Sequence, residues 1–531
     1  MKPDGPSNGG SPGPAGGTFR EVFHSWRYFF WLLALGLLVL VFYAEEDWRG
    51  KWMWERYKHR MEARGERMDA TAFVPPEVPD DKNFAQTPFL APLFEFSRPA
   101  PMNFAPGYDA AATLVRSTKG ERTNSWVGPR MDLRMWSWAF ANATNRAAKR
   151  GVESPATNGT ILEAAEGVLS GLSDTAPVID ELRLASQRPF ARFNLHYQED
   201  NPSVMLLPHL GTLRHLTQIL QLRAAAELAL GQTDAAFDDV QLMLYLANVC
   251  RDEPILISQL VRMAQLNMAL QAIAEGMDRW SEPQLRYYAE TLGRFEFCAD
   301  AERTLEAERS FFGVGIIDFL RRASGASRPA HFSGMFNGPS SGPGPEAILM
   351  SVVPSGWFYL EEVNYCRAFD DYVLPTIDAA NARVNLAANR KAENRIGALT
   401  RSSGLTLFLR HRIMSALLLS AISGPVRKAA LAQTGADAGA LACALELCRR
   451  AHGQFPESLD ALAPEFIKKL PHDVINGELL KYRREGDGQY VLYSVGWNEK
   501  DDGGIVAPGR DGQNTEMTNG DWVWRPMAQE R

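Results

Sequence analysis

The longest unbroken run of apolar side chains lies near the start of the chain, at residues 28–44, and it contains no charged residue. A helix rises about 1.5 Å per residue, so a bilayer core of about 30 Å requires about 17 to 25 residues. Trp26 and Trp48 flank the run and belong to the residue types that collect at membrane interfaces. The pattern therefore predicts a transmembrane helix over residues 28–44.

Three other interpretations of this run fit the sequence less well. A helix buried in a protein core usually carries a polar stripe, and this run has none. A cleaved signal peptide needs small residues before the cut, whereas Phe42 and Tyr43 are bulky. A type IV prepilin leader would place its apolar run directly after the cleaved glycine, but polar residues intervene at 20–27. We therefore predict an uncleaved signal anchor.

The charges around the anchor give mixed information about its orientation. Arg20 and Arg27 precede the run, but several basic residues also follow it between residues 49 and 60. Large domains are translocated largely regardless of such charges. We therefore expect a single-pass protein of the cell (inner) membrane with its large C-terminal part outside the cytoplasm. Residues 1–27, which begin with a stretch rich in Gly, Pro and Ser, are predicted to be a disordered cytoplasmic tail.

After the anchor, the polar and apolar pattern changes several times along the chain. Residues 45–69 are charged and helical in period, which predicts a helical stalk continuing the anchor. A proline-rich stretch then breaks the helix, and residues 70–150 form an irregular region rich in aromatic side chains. Residues 151–430 show helical periodicity and are predicted to form a helical body. Within it, residues 324–345 are rich in Gly, Ser and Pro and predict a flexible surface loop.

One pair of predicted helices, at residues 223–247, resembles a tetratricopeptide hairpin. It has an Ala- and Leu-rich helix, a turn at Gly231, and alanines at the start of the second helix. Only one such repeat is present, and these repeats need about three copies to form a solenoid. An ordinary hairpin within a helical bundle is therefore the alternative.

The last part of the chain, residues 431–531, has a different pattern. A long helix ends at Gly453, a short helix begins at Ser458, and Asn476-Gly477 is a typical hairpin turn. Residues 480–483 and 490–495 alternate with the period of strands. These features predict a small α+β module with an antiparallel sheet. The predicted fold class is therefore mainly α, a helical bundle with this C-terminal module and an N-terminal transmembrane helix.

The amino-acid sequence of this module resembles that of the globular part of the type II secretion major pseudopilin. The shared features are ALELCRRAHGQFPESLDALAPEFI, LPHDVINGELLKYRREGDGQYVLYSVG, the acidic loop that follows, and a closing Asp521-Trp522. In a pseudopilin the module follows its membrane helix directly, whereas here a long helical body separates the two. The whole chain also resembles large single-anchor membrane proteins of planctomycete and verrucomicrobial bacteria, through WERYKHRMEARGE and NFAQTPFLAPLF.

The pseudopilin resemblance implies a calcium site in the acidic loop. The matching positions are Asp501, Asp502 and Asp521, with Asn498 and Asp511 nearby. Calcium takes six to eight oxygen ligands, which clustered aspartates and loop carbonyls can supply. The alternative is a solvated acidic turn. Calcium is the only cofactor that the sequence suggests.

Composition excludes some classes of function. The net charge of −7 argues against a nucleic-acid-binding surface. No pair of the five cysteines has the Cys-x-x-Cys spacing of a zinc site, so buried structural thiols are expected. A long-range disulfide among Cys250, Cys298 and Cys366 remains an alternative.

The sequence contains none of the common catalytic signatures, such as HExxH, GxSxG or a P-loop. The carboxylates at Glu361, Glu362, Asp370 and Asp371 could pair for acid–base chemistry, but their spacing fits ordinary solvation as well. These observations favour a protein without catalytic activity: a membrane-anchored extracytoplasmic scaffold or interaction protein, related to envelope or secretion assembly, with the lipid bilayer and other proteins as partners. A membrane-bound hydrolase with a site formed only in three dimensions, and an atypical pseudopilin, are the alternatives.

Overall fold

The computed structural model describes residues 18–95, 104–117, 130–143, 159–336, 344–420, 422–508 and 515–527. Helices account for 65% of it, with small antiparallel sheets near the C-terminus, which confirms the predicted mainly α class with a C-terminal sheet. The α-helices are α1 (Thr18–Glu62), α2 (Pro106–Ser117), α3 (Leu133–Asn142), α4 (Ile161–Gly171), α5 (Ala176–Ala185), α6 (Pro208–Ala229), α7 (Thr233–Leu246), α8 (Leu256–Glu275), α9 (Glu282–Leu292), α10 (Phe297–Ala307), α11 (Gly315–Arg322), α12 (Arg328–Phe336), α13 (Pro345–Leu349), α14 (Ser355–Ala368), α15 (Leu386–Thr400), α16 (Gly404–Leu409), α17 (Ile413–Leu419) and α18 (Ser423–His452).

The strands are short and all pair antiparallel. They are β1 (Ile377–Asp378), β2 (Arg383–Val384), β3 (Lys481–Glu485), β4 (Gln489–Ser494), β5 (Val506–Pro508), β6 (Thr515–Gly520) and β7 (Trp522–Trp524). β1 pairs with β2, β5 with β6, and the main sheet has the order β3-β4-β7. In that sheet Leu492 lies opposite Trp524, and both side chains are buried.

Helix α1 contains the predicted anchor. Of the helices in the described ranges, it is the one that is long and apolar enough to cross a membrane, and none of its most apolar window is buried in the protein. It starts at Thr18, so the predicted disordered tail over residues 1–27 is wrong for its last ten positions; residues 1–17 lie outside the described residues. The predicted stalk is helical as far as Glu62.

The second half of α1 does not project as a free stalk. Trp54, Tyr57 and Met61 are buried in the main core, and α1 packs along α14. The reason is their spacing of three and four residues, which places them on one face of the helix. This apolar face was not predicted from the sequence, because charged residues lie between the three apolar ones.

Two other predicted segments are more ordered than expected. The region 70–150 is irregular as far as residue 95, with short 3-10 turns, but it then contains α2 and α3. The predicted flexible loop at 324–345 contains α12, where Arg328 and Phe332 are buried. Arg328 donates hydrogen bonds to the backbone carbonyls of Leu320 and Val353, which fixes this segment. Residues 337–343 lie outside the described residues.

Helices α6, α7 and α8 pack against one another in the body. α6 and α7 pack as a hairpin around Gly231, and both also contact α8. The tetratricopeptide likeness of this hairpin is not confirmed. α18 packs against α8 and α9 and also contacts β4 and β7. Because the helix is shared by the body and the sheet, the predicted boundary at residue 431 falls inside α18.

Candidate functional site

The junction between α1 and α14 joins the apolar helix to the body. The backbones meet at two glycines: a Cβ on Gly50 would overlap the carbonyl of Gly356, and a Cβ on Gly356 would overlap the carbonyl of Glu46. At the same end of α14, the Tyr43 hydroxyl donates to the carbonyl of Val352. Two helices can approach each other this closely only where the residues at the crossing are glycines, which have no Cβ. α1 therefore packs against α14 in direct backbone contact.

Buried polar groups surround this crossing. Glu46 is buried and accepts a hydrogen bond from Arg49, and one of its carboxylate oxygens lies 2.9 Å from His411 Nε2. Burial lowers the pKa of His411, while the contact with Glu46 acts in the opposite direction. Asp47 accepts the backbone N–H of Gly356. Two of the three carboxylates that directly follow the apolar segment, Glu46 and Asp47, are thus bound to the body, whereas Glu45 is exposed and pairs with Arg49 of the same helix.

A second polar cluster holds the chain just beyond α1. Arg309 is buried, with its guanidinium 2.6 Å from Glu66 and in contact with Asp370. The hydroxyl of Tyr57 donates to the same Asp370. Arg309 and Asp370 both lie in π-helical turns, Glu308–Val314 and Phe369–Val373. Gly50 of α1 contacts Gly356 at the start of α14, and Tyr57, further along α1, contacts Asp370 just after the end of α14. The two helices therefore run in the same direction.

A cavity of about 300 Å³ opens beside this junction, between α14, α15 and α17. Its lining includes the arginines Arg367, Arg395 and Arg412 and one carboxylate, Asp371. The three cations outnumber the single anion, and none of the arginines forms an ion pair with an acidic residue in the described ranges. Arginine presents a planar fork of donors that matches carboxylate and phosphate groups. The cavity can therefore accept an anionic group.

The cavity also contains a buried donor that lacks a partner. Ser415 is 1% exposed and lines the cavity, and its hydroxyl has no hydrogen-bond partner. A buried hydroxyl usually finds a partner, because leaving one unsatisfied costs about 1–3 kcal/mol. An anionic ligand that accepts from the arginines could accept from this hydroxyl as well.

Glu361 caps α17, the helix that contributes Ser415 and Leu419 to the cavity lining. Its carboxylate oxygens accept the backbone N–H groups of Ile413 at 2.6 Å and Met414 at 3.1 Å. Burial raises the pKa of Glu361 to about 8, although these backbone hydrogen bonds and the charge of Arg412 act to lower it. The carboxyl is therefore held largely protonated in the folded protein at neutral pH.

We expect the stability of the protein to fall as pH rises from about 4.5 to about 8. In this window the unfolded chain has lost the proton of Glu361 while the folded protein still binds it, so each rise in pH favours unfolding, by at most about 1.4 kcal/mol per pH unit. Thermal unfolding of the detergent-solubilised protein across this range measures the effect. The Glu361→Gln variant should show a flatter dependence and Glu166→Gln, at an exposed position, the same slope as the unmodified protein. Equal slopes in all three would contradict the assignment.

The predicted calcium site lies at one end of the C-terminal sheet. Asp521 is 1% exposed, and its two carboxylate oxygens accept the backbone N–H groups of Asp502 at 3.2 Å and Gly504 at 2.7 Å. Burial raises the pKa of Asp521, while these hydrogen bonds oppose the rise. Asp521 therefore fixes the backbone of the loop through these two hydrogen bonds.

The other two aspartates of this loop are also engaged within it. Asp501 accepts a hydrogen bond from the hydroxyl of Tyr493 at 3.0 Å, and Asp502 accepts one from the side-chain amide of Asn498 at 2.9 Å. Asp511 lies outside the described residues. The fold thus brings Asp501, Asp502 and Asp521 into one hydrogen-bonded loop, and calcium binding there stays a prediction.

One group of potential metal ligands in the described ranges is more compact. Side-chain atoms of His209, Cys250 and Glu253 lie within 4.8 Å of one another, and all three residues are buried. His209 Nε2 is 2.9 Å from Glu253, whose other oxygen accepts from Ser258. Sequence reasoning did not connect these residues, because the histidine is far from the other two along the chain.

This group fits a buried hydrogen-bonded cluster better than a metal centre. His209 is held by the contact of its Nε2 atom with Glu253, and its Nδ1 atom is buried without a partner. Burial raises the pKa of the Cys250 thiol well above its ordinary value, which opposes formation of the thiolate that binds metals. Phe193 stacks on the histidine ring at 4.3 Å. All five cysteines are buried and free, so the alternative of a long-range disulfide is not realised.

The carboxylates that the sequence suggested as an acid–base pair have separate positions. Glu361 caps α17, Asp370 binds Arg309, and Asp371 lines the cavity. Burial raises the pKa of Glu362 well above its ordinary value, and one of its oxygens has no hydrogen-bond partner. The basic cavity itself was missed, since its arginines come from three different helical segments. An excess of arginine over acid near residues 395–412 was the one available signal.

No known protein family, no curated protein and no solved structure matches this chain.

Proposed function

We propose that the protein is a single-pass, membrane-anchored scaffold or interaction protein whose body lies outside the cytoplasm at the inner membrane. The observation that supports this proposal is the continuity of α1. The helix runs without a break from its exposed apolar half into a half that is buried against α14. A helix of this kind holds the body at a fixed height and orientation above the bilayer, which suits a protein that positions partners.

The full-length protein in membranes of expressing cells tests the anchor. We expect it to remain in the pellet after washes with high salt and alkaline carbonate and to be released by detergent. Protease added to spheroplasts should degrade the body if it is extracytoplasmic. Release by carbonate would contradict the anchor, and protection from protease would contradict the orientation. Chemical crosslinking followed by affinity purification in detergent then identifies the partners.

The two alternatives make different demands on the structure. A hydrolase would be favoured by a pocket lined with glutamate and histidine of shifted pKa, but the lining of the basic cavity contains neither residue type. An atypical pseudopilin, suggested by the resemblance of the C-terminal module, requires processing of the N-terminus. Mass spectrometry of the purified protein distinguishes a processed pseudopilin from a signal anchor. For a signal anchor we expect the apolar segment to be retained without cleavage.

The basic cavity supports a second function, the binding of an anionic group carried by a partner or a small molecule. Its support comes from the three arginines without acidic partners and from the unpartnered hydroxyl of Ser415. A carboxylate or a phosphate satisfies both features. This function is compatible with a scaffold, because a partner's acidic group would then be bound at a fixed position relative to the membrane.

We expect inorganic phosphate to stabilise the protein through this cavity. A ligand at about ten times its Kd adds about 1.4 kcal/mol of stability. Thermal unfolding in phosphate and in chloride of matched ionic strength measures this gain. The double variant Arg395→Ala/Arg412→Ala should lose most of it, whereas Arg294→Ala, which removes an exposed arginine just after α9, should retain it. An equal gain in all three proteins would show that phosphate acts elsewhere.

A further inference from the structure

Five exposed apolar side chains of the body lie on two segments next to the end of the apolar run of α1. They come from α13 and the turn after it, and from α16: Ile348, Leu349, Val352, Leu405 and Leu409. Leu405 and Leu409 are 69% and 66% exposed and lie one helical turn apart on the same face of α16. Large exposed apolar groups that cluster in this way mark an interaction surface.

Two contacts place this surface at the level where α1 leaves its apolar segment. The carbonyl of Val352 accepts the hydroxyl of Tyr43, and His411, two residues after Leu409, lies 2.9 Å from Glu46. Tyr43 and Glu46 bracket the end of the apolar run at residues 28–44. The exposed leucines of α16 and the end of α13 therefore flank the helix at the height of the membrane boundary.

The polar residues around the surface have the composition of a membrane interface. Arg401 and Arg410 lie on either side of α16 and are exposed. Trp48, five residues after Tyr43 on α1, is 70% exposed. Interfacial helices place leucines among the acyl chains and arginines at the lipid phosphates, and tryptophan collects at the same depth.

We propose that the end of α13 and helix α16 form a lipid-contact face that inserts into the outer part of the bilayer and binds anionic headgroups through Arg401 and Arg410. This inference rests on the proposed anchoring of α1, which brings the face to the membrane. The occupant is the lipid surface itself, because the face is continuous with the apolar helix. The body is thereby attached at two places, which prevents it from tilting about α1.

Fluorescence quenching in vesicles tests this face in the full-length protein. A bimane label is attached to a single introduced cysteine, L409C, L37C or I505C. The five native thiols are buried, so labelling is directed to the introduced one. The protein is reconstituted into phosphatidylcholine vesicles with and without phosphatidylglycerol, and with and without lipids that carry a nitroxide in the acyl chain. Leu37 reports on the span, and Ile505, 65% exposed in the C-terminal module, is the control with similar exposure.

We expect the labels at positions 37 and 409 to lose most of their fluorescence to the nitroxide lipids and the label at 505 to retain it. The loss at 409 should be greater when phosphatidylglycerol is present. Quenching at 37 without quenching at 409 would overturn the lipid-contact face and leave the anchor intact. Absence of quenching at 37 would overturn both proposals. Crosslinking of two copies through 409, without quenching, would assign the face to a second copy instead.

Discussion

Replacing Gly356 with alanine lowers the stability of the full-length protein, although alanine is the better helix former. The added methyl group would overlap the backbone of Glu46 and Asp47 on α1. Neither neighbour is a flexible side chain, so the two helices must separate. Overpacking of this kind costs about 1–3 kcal/mol, which exceeds the gain of about 0.5–1 kcal/mol from replacing glycine inside a helix.

The matched control is Gly211→Ala in α6. A Cβ at Gly211 meets nothing within 4 Å, so only the gain in helix propensity remains and this variant should be slightly more stable. Thermal unfolding of the detergent-solubilised proteins measures the difference, and limited proteolysis reports whether α1 has separated from the body. The close crossing of α1 and α14 would be refuted by two variants that shift stability in the same direction by similar amounts.

The expected separation of the two helices matters for function because their crossing fixes the orientation of the body relative to the membrane helix. Tyr43, Glu46 and Asp47 all contact the body within one turn of the end of the apolar run. A weakened crossing would leave the anchor in the membrane but release the body from its fixed orientation. Defects in partner binding would then appear without any loss from the membrane fraction.

Sequence pattern was sufficient for features that depend on neighbouring residues. The apolar run, the left-handed glycine at Gly453 and the pairing of two strands after residue 480 are all visible in the chain, and the structure contains each of them. Each of these signals lies within a few residues of the feature it specifies. Local chemistry therefore predicted the helix, the cap and the hairpin.

Features that depend on distant residues could not be predicted in the same way. The burial of Trp54 and Tyr57 requires α14, which is about three hundred residues later in the chain. The helix α12 is fixed by hydrogen bonds from Arg328 to carbonyls of two other segments, which no composition rule reveals. The arginines of the cavity likewise converge only when α14, α15 and α17 are packed together. In each case the decisive partner lies in another helix or turn of the chain.

Replacing Arg309 with methionine should destabilise the protein strongly, because it leaves two carboxylates facing each other. Arg309 is 1% exposed and contacts both Glu66 and Asp370, which follow α1 and α14 respectively. Removing one member of a buried ion pair costs about 3–5 kcal/mol, and the 31% exposure of Glu66 places this case near the lower figure, at about 3 kcal/mol. Burial raises the pKa of Tyr57, so its hydroxyl stays a donor to Asp370 and offsets part of the loss.

A surface ion pair provides the comparison for this variant. Arg286 pairs with Glu282 at 2.8 Å, but both side chains are about half exposed, so Arg286→Met should change stability by less than about 1 kcal/mol. The double variant Arg309→Met/Asp370→Asn removes one of the two facing charges and should recover part of the loss. Denaturant unfolding of the four proteins in detergent measures these differences. Equal effects at Arg309 and Arg286 would mean that the cluster beyond α1 is solvated and does not contribute to holding α1 against the body.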